Sequence, residues 1–349
     1  MKLVGIGDLF IPKEYIANGF KPLEKYGVEI TVLDWQLQNF QELQKINLLV
    51  ETGGSEAYQP PRYILEAVRE ADIIITQFCP MTRMIIDSCS HLKAIGVLRA
   101  GIENINLDYA SEKGILVYNT PGRNSDAVAD FTVGMIIAEC RNIAKGHYGL
   151  KNGEWIRVYP NTDYIPDLPG KTAGIVGLGE IGQKVAKRLA GFDMRLLGYD
   201  PYSTYSSYGM EMVSLERLMA ESDFVTIHAR MSKETENLIN QTLLAKMKAT
   251  AYLINTSRAG LVDESALYEA LKNKRIAGAA LDVFALEPPG SDYPLVRLDN
   301  VTITPHMAGG SKDAFLNSPK KLANEMEKLW SKELSRYLVN KEIFNKVIA

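Results

Sequence analysis

Short apolar runs alternate with segments of helical periodicity along nearly the whole chain. Unbroken runs such as Ile73-Ile74-Ile75 suit strands that helices cover on both faces. Parallel neighbours need a crossover connection, usually a helix, so this alternation predicts an α/β fold with parallel sheets. In the first third, Lys2–Ile6, Glu29–Leu33, Ala71–Thr76, Ala94–Leu98 and Leu116–Asn119 read as strands, with helices at Pro61–Glu70 and Met84–Cys89. A loop-like stretch with Pro160, Pro166 and Pro169 precedes a second block. Its strands are Thr172–Gly177, Arg195–Tyr199, Phe224–His228, Ala251–Asn255, Ala277–Val283 and Val301–Thr304, and a last helical stretch covers Lys312–Leu329. With 349 residues the chain has room for two domains, at about 100–200 residues each.

Composition narrows the function classes. The net charge is −3 and no run of Lys or Arg occurs, so no nucleic-acid partner is expected. No apolar stretch reaches the length of about 18 residues that a membrane span needs, so no membrane association is expected either. Asp8 interrupts the apolar N-terminal run, which argues against a secretion signal. The three cysteines, Cys79, Cys89 and Cys140, form no Cys-x-x-Cys and point to reduced thiols in the cytoplasm. His91, His147, His228 and His306 are the only imidazoles, which limits the choice of acid–base catalysts.

The sharpest motif is Gly177-Leu178-Gly179-Glu180-Ile181-Gly182. It follows an apolar strand and opens a helix in which Val185, Ala186 and Leu189 recur at helical spacing. The next strand ends at Asp200, 18 residues after Gly182. This is the arrangement of a dinucleotide site: Gly177 for the tight turn, Gly179 for close approach of backbone to a pyrophosphate, Gly182 for helix–strand packing, and an acid for the ribose hydroxyls. The helix N-terminus adds N–H groups and partial positive charge for the phosphates. Asp200 would repel a 2′-phosphate and no Arg follows it in Pro201-Tyr202-Ser203, so the predicted cofactor is NAD.

Reactive side chains cluster at three later strand ends: Arg258 in Asn255-Thr256-Ser257-Arg258-Ala259-Gly260, Asp282 and Glu287 in Leu281–Pro288, and His306 in Thr304–Gly310. Open α/β sheets bind ligands beyond the carboxyl ends of their strands. Taken singly, each residue has an ordinary structural explanation. Together they supply what hydride transfer to a 2-keto acid requires. A guanidinium grips a carboxylate through two parallel bonds and polarises the adjacent carbonyl. An imidazolium donates the accompanying proton. A carboxylate beside an imidazole favours its charged form and raises its pKa.

With these motifs the chain resembles the D-isomer-specific 2-hydroxyacid dehydrogenases over almost its whole length, and within them the phosphoglycerate dehydrogenase-like members. The 29 residues from Arg258 to Glu287 and the 19 from Glu287 to His306 suit that family. The resemblance implies two Rossmann-like or flavodoxin-like domains with parallel sheets. A discontinuous substrate domain would comprise 1–120 and 311–349, and an NAD-binding domain 121–310. It also implies that Arg258 binds and polarises the substrate, that His306 is the general acid–base and that Glu287 pairs with it. Asp282 would hold the nicotinamide carboxamide, while Thr256 and the backbone from His306 to Gly309 would touch the cofactor. The loop around Arg99-Ala100-Gly101 would receive the substrate carboxylate on its N–H groups, with Arg99 within reach of a second anionic or hydroxyl-rich group or held in a salt bridge.

A helix is predicted from about Ser125 to Lys145, apolar over a broad surface; the resemblance places it in a homodimer interface. Several features depart from the family pattern. Gln77 is neutral where phosphate-binding members often place a basic residue, His228-Ala229-Arg230-Met231 replaces the usual Pro-Leu-Thr, and Asp130 stands where relatives often have Glu. No C-terminal regulatory domain is expected. The set favours a polyhydroxylated or otherwise sugar-derived acid as substrate, with a phosphorylated one still open. The alternative of a different class is an NAD-sensing dimeric binding protein of the C-terminal binding protein type.

Overall fold

In the computed structural model, which describes residues 1–203 and 207–348, every expected strand forms, with ends displaced by at most two residues. The chain divides into two units, Met1–Arg123 together with the segment from Lys312 onward, and Asn124–Ser311.

In the first unit, β1 (Lys2–Gly7), β2 (Glu29–Asp34), β3 (Ile73–Thr76), β4 (Ala94–Val97) and β5 (Leu116–Tyr118) form a parallel sheet in the order β2-β1-β3-β4-β5. The strand order reverses between β1 and β3, the flavodoxin-like arrangement with its switch point there. β3, β4 and β5 are buried throughout, which explains their unbroken apolar runs. A helix at Phe40–Gly53, not anticipated from the sequence, is capped by Asn39, whose side chain accepts from Glu42 N, and buries Leu43, Ile46 and Val50. The helix Lys312–Met326 packs on the helix Lys13–Phe20. Farther on, Asn340 Oδ1 accepts from Val117 N at 2.8 Å and Tyr337 O from Asn119 N at 3.0 Å, so the C-terminal segment is stitched to the edge of this sheet.

In the second unit, β6 (Thr172–Val176), β7 (Arg195–Tyr199), β8 (Glu211–Met212), β9 (Phe224–Ile227), β10 (Tyr252–Asn255), β11 (Gly278–Leu281) and β12 (Val301–Ile303) are parallel in the order β12-β11-β10-β9-β6-β7-β8. This is the Rossmann order extended by one strand, with its switch point between β6 and β9. β8 is two residues long and carries no apolar run, so it left no sequence signal.

The helix expected over 125–145 is corrected to two: Ser125–Cys140 and Ile143–Lys151, parted at Asn142, whose φ is +56°. Asn is among the few residues that visit this region readily. Here its buried amide donates to Asn161 Oδ1 at 2.8 Å, while Glu139 accepts from Lys145 Nζ at 2.8 Å across the break. The broad apolar surface of the first helix is covered inside its own unit, by the helix Glu180–Ala190 and by β10, β11 and β12. The exposed apolar side chains lie farther along, at Ile143, Tyr148, Leu150, Trp155, Ile156 and Val158. Among the described residues no helix is long and apolar enough to cross a membrane, and Cys79, Cys89 and Cys140 are free thiols.

Candidate active site

The glycine motif turns from β6 into the helix Glu180–Ala190. Gly177 has φ +89°, and a Cβ there would stand 2.5 Å from Ala229 N. Gly182 faces the carbonyl of Gly177 so closely that no side chain fits. Over Gly179 the space is open, and this residue begins the helix with no side-chain cap. An uncapped helix end with unobstructed backbone is what a pyrophosphate needs. Glu180 lies in the first turn, and Ile181 packs against the core beneath it. At the end of β7, Asp200 Oδ2 accepts from Leu178 N at 2.8 Å and Oδ1 from Tyr202 N at 2.8 Å. These bonds fix the carboxylate beside the turn and leave lone pairs for ribose hydroxyls. The residues present therefore fit NAD.

β10, β11 and β12 are neighbours, with Asn255 opposite Leu281 and Leu281 opposite Ile303. Parallel strands lie about 4.8 Å apart, so the segments carrying Arg258, Asp282 with Glu287, and His306 leave the same sheet edge side by side. After β10, Asn255 builds the turn: its Oδ1 accepts from Ser257 N at 3.0 Å and its Nδ2 donates to Arg258 O at 2.9 Å. Arg258 is exposed, its Nη1 donates to Ser257 O at 2.8 Å, and no carboxylate pairs with it among the described residues. Thr256 is buried against Thr132, hydroxyl to hydroxyl at 2.8 Å.

Glu287 Oε2 meets His306 Nδ1 at 2.7 Å, while Oε1 accepts from Phe284 N at 3.0 Å. The carboxylate is thus held at both oxygens, and the other ring nitrogen, Nε2 of the exposed His306, makes no hydrogen bond among the described residues. His306 itself sits at φ +48°, a conformation uncommon for residues other than glycine. Asp282 maintains it. It is fully buried, its Oδ1 accepts from Thr304 Oγ1 at 2.5 Å and Met307 N at 3.0 Å, and its Oδ2 accepts from Ala308 N at 2.8 Å. Asp282 therefore pins the loop that carries His306 and runs on to Gly309. His228, at the end of β9, is no rival as acid: burial pushes its pKa down to about 3 and keeps it neutral, with Nε2 bonded to Thr226 Oγ1 at 2.9 Å. Arg230 is exposed, and Asp130 pairs with Arg188 at 2.5 Å on the solvent side.

Positioning residues that gave no recognisable sequence signal include Glu264, which accepts from Ala285 N at 3.1 Å and from Tyr293 and so ties down the loop before Glu287. In the first unit, Arg99 is in a salt bridge: it contacts Glu103 at 2.5 Å, Glu51 at 3.3 Å and Asn47 Oδ1 at 2.8 Å, and stacks over Phe78. Asn119 Nδ2 donates to Ala100 O at 2.6 Å. The N–H groups of Ala100 and Gly101 have no protein acceptor among the described residues.

Residues 133–308 match the model of the D-isomer specific 2-hydroxyacid dehydrogenase NAD binding domain. A D-3-phosphoglycerate dehydrogenase of Methanocaldococcus jannaschii is 40% identical over 79% of this chain, which spans only about half (53%) of that relative's length. A glyoxylate reductase of Thermofilum pendens is 40% identical over 83% of this chain and 87% of its own. In structure, a D-isomer specific 2-hydroxyacid dehydrogenase of Lactobacillus delbrueckii ssp. bulgaricus, solved in its NAD complexed form, superimposes with a TM-score of 0.76 over 97% of this chain and 100% of its own at 23% identity, a likeness of fold. The chain belongs to the D-isomer specific 2-hydroxyacid dehydrogenases, a family of NAD-dependent oxidoreductases.

Proposed function

We propose that the protein moves a hydride between NAD(H) and C2 of a small D-2-hydroxy or 2-keto acid whose remaining carbons carry hydroxyl groups. The observation that carries this reading is the carboxylate-backed imidazole of His306, held at 2.7 Å by Glu287, next to a strand end that presents an unpaired Arg258. When bound, the nicotinamide supplies or accepts the hydride. Arg258 grips the substrate carboxylate and draws electron density from the C2 carbonyl. Nε2 of His306 gives its proton to the carbonyl oxygen as C2 is reduced, and takes it back in the reverse direction. Glu287 balances the imidazolium charge while His306 carries the proton. The N–H groups of Ala100 and Gly101 receive the carboxylate, and Asp200 holds the ribose. Asp282 holds the loop from His306 to Gly309, and any bond from it to the carboxamide would use its remaining lone pair; Thr256, buried against Thr132, lines the strand end beside it.

Two features support a hydroxylated substrate over a phosphorylated one: Gln77 is neutral, and the charge of Arg99 is already balanced by Glu51 and Glu103. The relatives named for phosphoglycerate, glyoxylate and hydroxypyruvate bracket the choice. The test is oxidation of NADH, followed by absorbance, with glyoxylate, hydroxypyruvate, longer hydroxylated 2-keto acids and phosphohydroxypyruvate. Turnover of the hydroxylated acids, with NADH strongly preferred over NADPH, is expected. Tight NADH binding without turnover of any of them would leave a nucleotide-sensing binding protein instead. We further propose a homodimer, joined through the exposed apolar side chains between Ile143 and Val158.

A further inference from the structure

The chain departs from the usual Pro-Leu-Thr at His228-Ala229-Arg230-Met231, and no step of the hydride transfer uses Arg230. The segment leaves β9 at the switch point of the second unit. Val176 of β6 lies opposite Ile227 of β9, so the glycine turn and His228–Arg230 pass the carboxyl edge side by side. Open α/β sheets take their ligands in the crevice between two such strands. The two backbones meet: a Cβ on Gly177 would stand 2.7 Å from His228 C and 2.8 Å from Ala229 Cα. The segment is held from three directions. His228 N donates to Val176 O at 2.6 Å, Ser257 Oγ to Ala229 O at 3.0 Å, and Thr235 Oγ1 to Arg230 O at 2.7 Å. Met231 covers Gly260, where a Cβ would meet its Cε at 2.8 Å. Arg230 is therefore anchored through its backbone, while its side chain is exposed and has no carboxylate partner among the described residues.

The charge around the turn makes that guanidinium useful. Glu180 lies in the first turn of the helix, and the Asp200 carboxylate is bonded to Leu178 N. A pyrophosphate adds two more negative charges, against only about half an elementary charge from the helix end. The cations of that helix are committed or remote. Lys184 and Arg188 pair with Asp126 and Asp130, and Lys187 stands about two turns from the helix start. Of the strands flanking β6, β7 is followed by Asp200-Pro201-Tyr202-Ser203, without a cation, and β9 by Arg230. From this juxtaposition we infer that Arg230 binds the pyrophosphate of NAD. The inference rests on the glycine turn as the pyrophosphate site. A guanidinium presents paired N–H donors that match two phosphate oxygens, and its charge offsets that of Glu180. The role is one of binding and positioning, without contact to the reacting atoms.

Nucleotide affinity tests this apart from turnover. Kd is measured for wild type, Arg230→Gln and Arg230→Lys, for NADH and NADPH by nicotinamide fluorescence and for ADP-ribose and adenosine by displacement of NADH. Arg230→Gln should weaken NADH and ADP-ribose about 10–100-fold, as loss of a charge-assisted hydrogen bond predicts, and leave adenosine unchanged. Arg230→Lys, which keeps the charge without the fork, should lose less, and the deficit of Arg230→Gln should shrink at high salt. Wild-type binding of NADH that Arg230→Gln retains in full overturns the role of Arg230 alone. An equal loss on adenosine, which would mean a contact with adenine, also overturns it, as does a loss confined to NADPH, which would mean a contact with the 2′-phosphate. Failure of wild type to bind ADP-ribose strikes the glycine turn as a pyrophosphate site, and Arg230 with it.

Discussion

His306 and Arg258 show how little of a residue's role is intrinsic to it. An imidazole after a strand is common; one backed by a carboxylate at 2.7 Å, with its other nitrogen unbonded, suits the role of proton donor proposed for His306. His306→Ala should lower turnover by about two to four orders of magnitude in steady-state assays, the usual contribution of a general acid–base, and near-wild-type turnover would remove it from the mechanism. Arg258→Lys keeps the charge but loses the two-pronged grip. Its kcat/KM should drop at least about 100-fold, and unchanged saturation and turnover would reject the role. Asp8 illustrates a cost in stability. Burial, partly offset by its backbone hydrogen bonds, raises its pKa from 3.8 to about 6. Below 3.8 the group is protonated folded or unfolded, and the penalty is absent; between 3.8 and 6 the unfolded chain ionises while the folded protein keeps its proton, so stability falls across that window and levels off above 6. At about 1.4 kcal/mol per unit, the penalty is about 3 kcal/mol at neutral pH. Asp8→Asn should therefore raise Tm relative to wild type at pH 8 and leave it little changed near pH 3.5. A variant that melts lower at pH 8 would contradict this.

At the scale of elements, the turn from β6 into its helix is built for backbone to approach something closely. Gly177→Ala places a Cβ against the backbone of His228 and Ala229 at a positive φ. Such a change should destabilise the protein by about 1–3 kcal/mol and weaken NADH binding, read by thermal unfolding with and without NADH. Unaltered melting and affinity would mean that the turn tolerates a side chain. The strands were legible because burial on both faces leaves unbroken apolar runs. The helix Phe40–Gly53 and the two-residue β8 were not. The helix keeps Leu48 and Leu49 exposed beside its buried Leu43, Ile46 and Val50, which blurs its periodicity, and two residues carry no period. The break at Asn142 was hidden for another reason. It depends on a hydrogen bond to Asn161, nineteen residues away, and local propensity does not register that bond.

For the whole molecule, apolar surface decides assembly. The helix Ser125–Cys140 spends its apolar residues inside its own unit, whereas Trp155 and Val158 are each 78% exposed. Large apolar side chains exposed this close together along the chain are candidates for an interface. Trp155→Glu combined with Val158→Lys should convert a dimer into a monomer in light scattering after size exclusion, with the thermal transition of each unit retained. A monomeric wild type would refute the dimer.

The sequence by itself determined the parallel α/β class and the glycine turn with Asp200, and it put Arg258, Glu287 and His306 after strands of the second block, because each depends on local period or on spacing along one strand–turn unit. Only the tertiary structure decided that Asp282 braces the His306 loop, that Arg99 is already ion-paired, and that Asp8 is buried with one carboxylate oxygen unpartnered. Those outcomes depend on strand order and on which buried polar atoms find partners, and both are set by contacts between residues far apart in the chain.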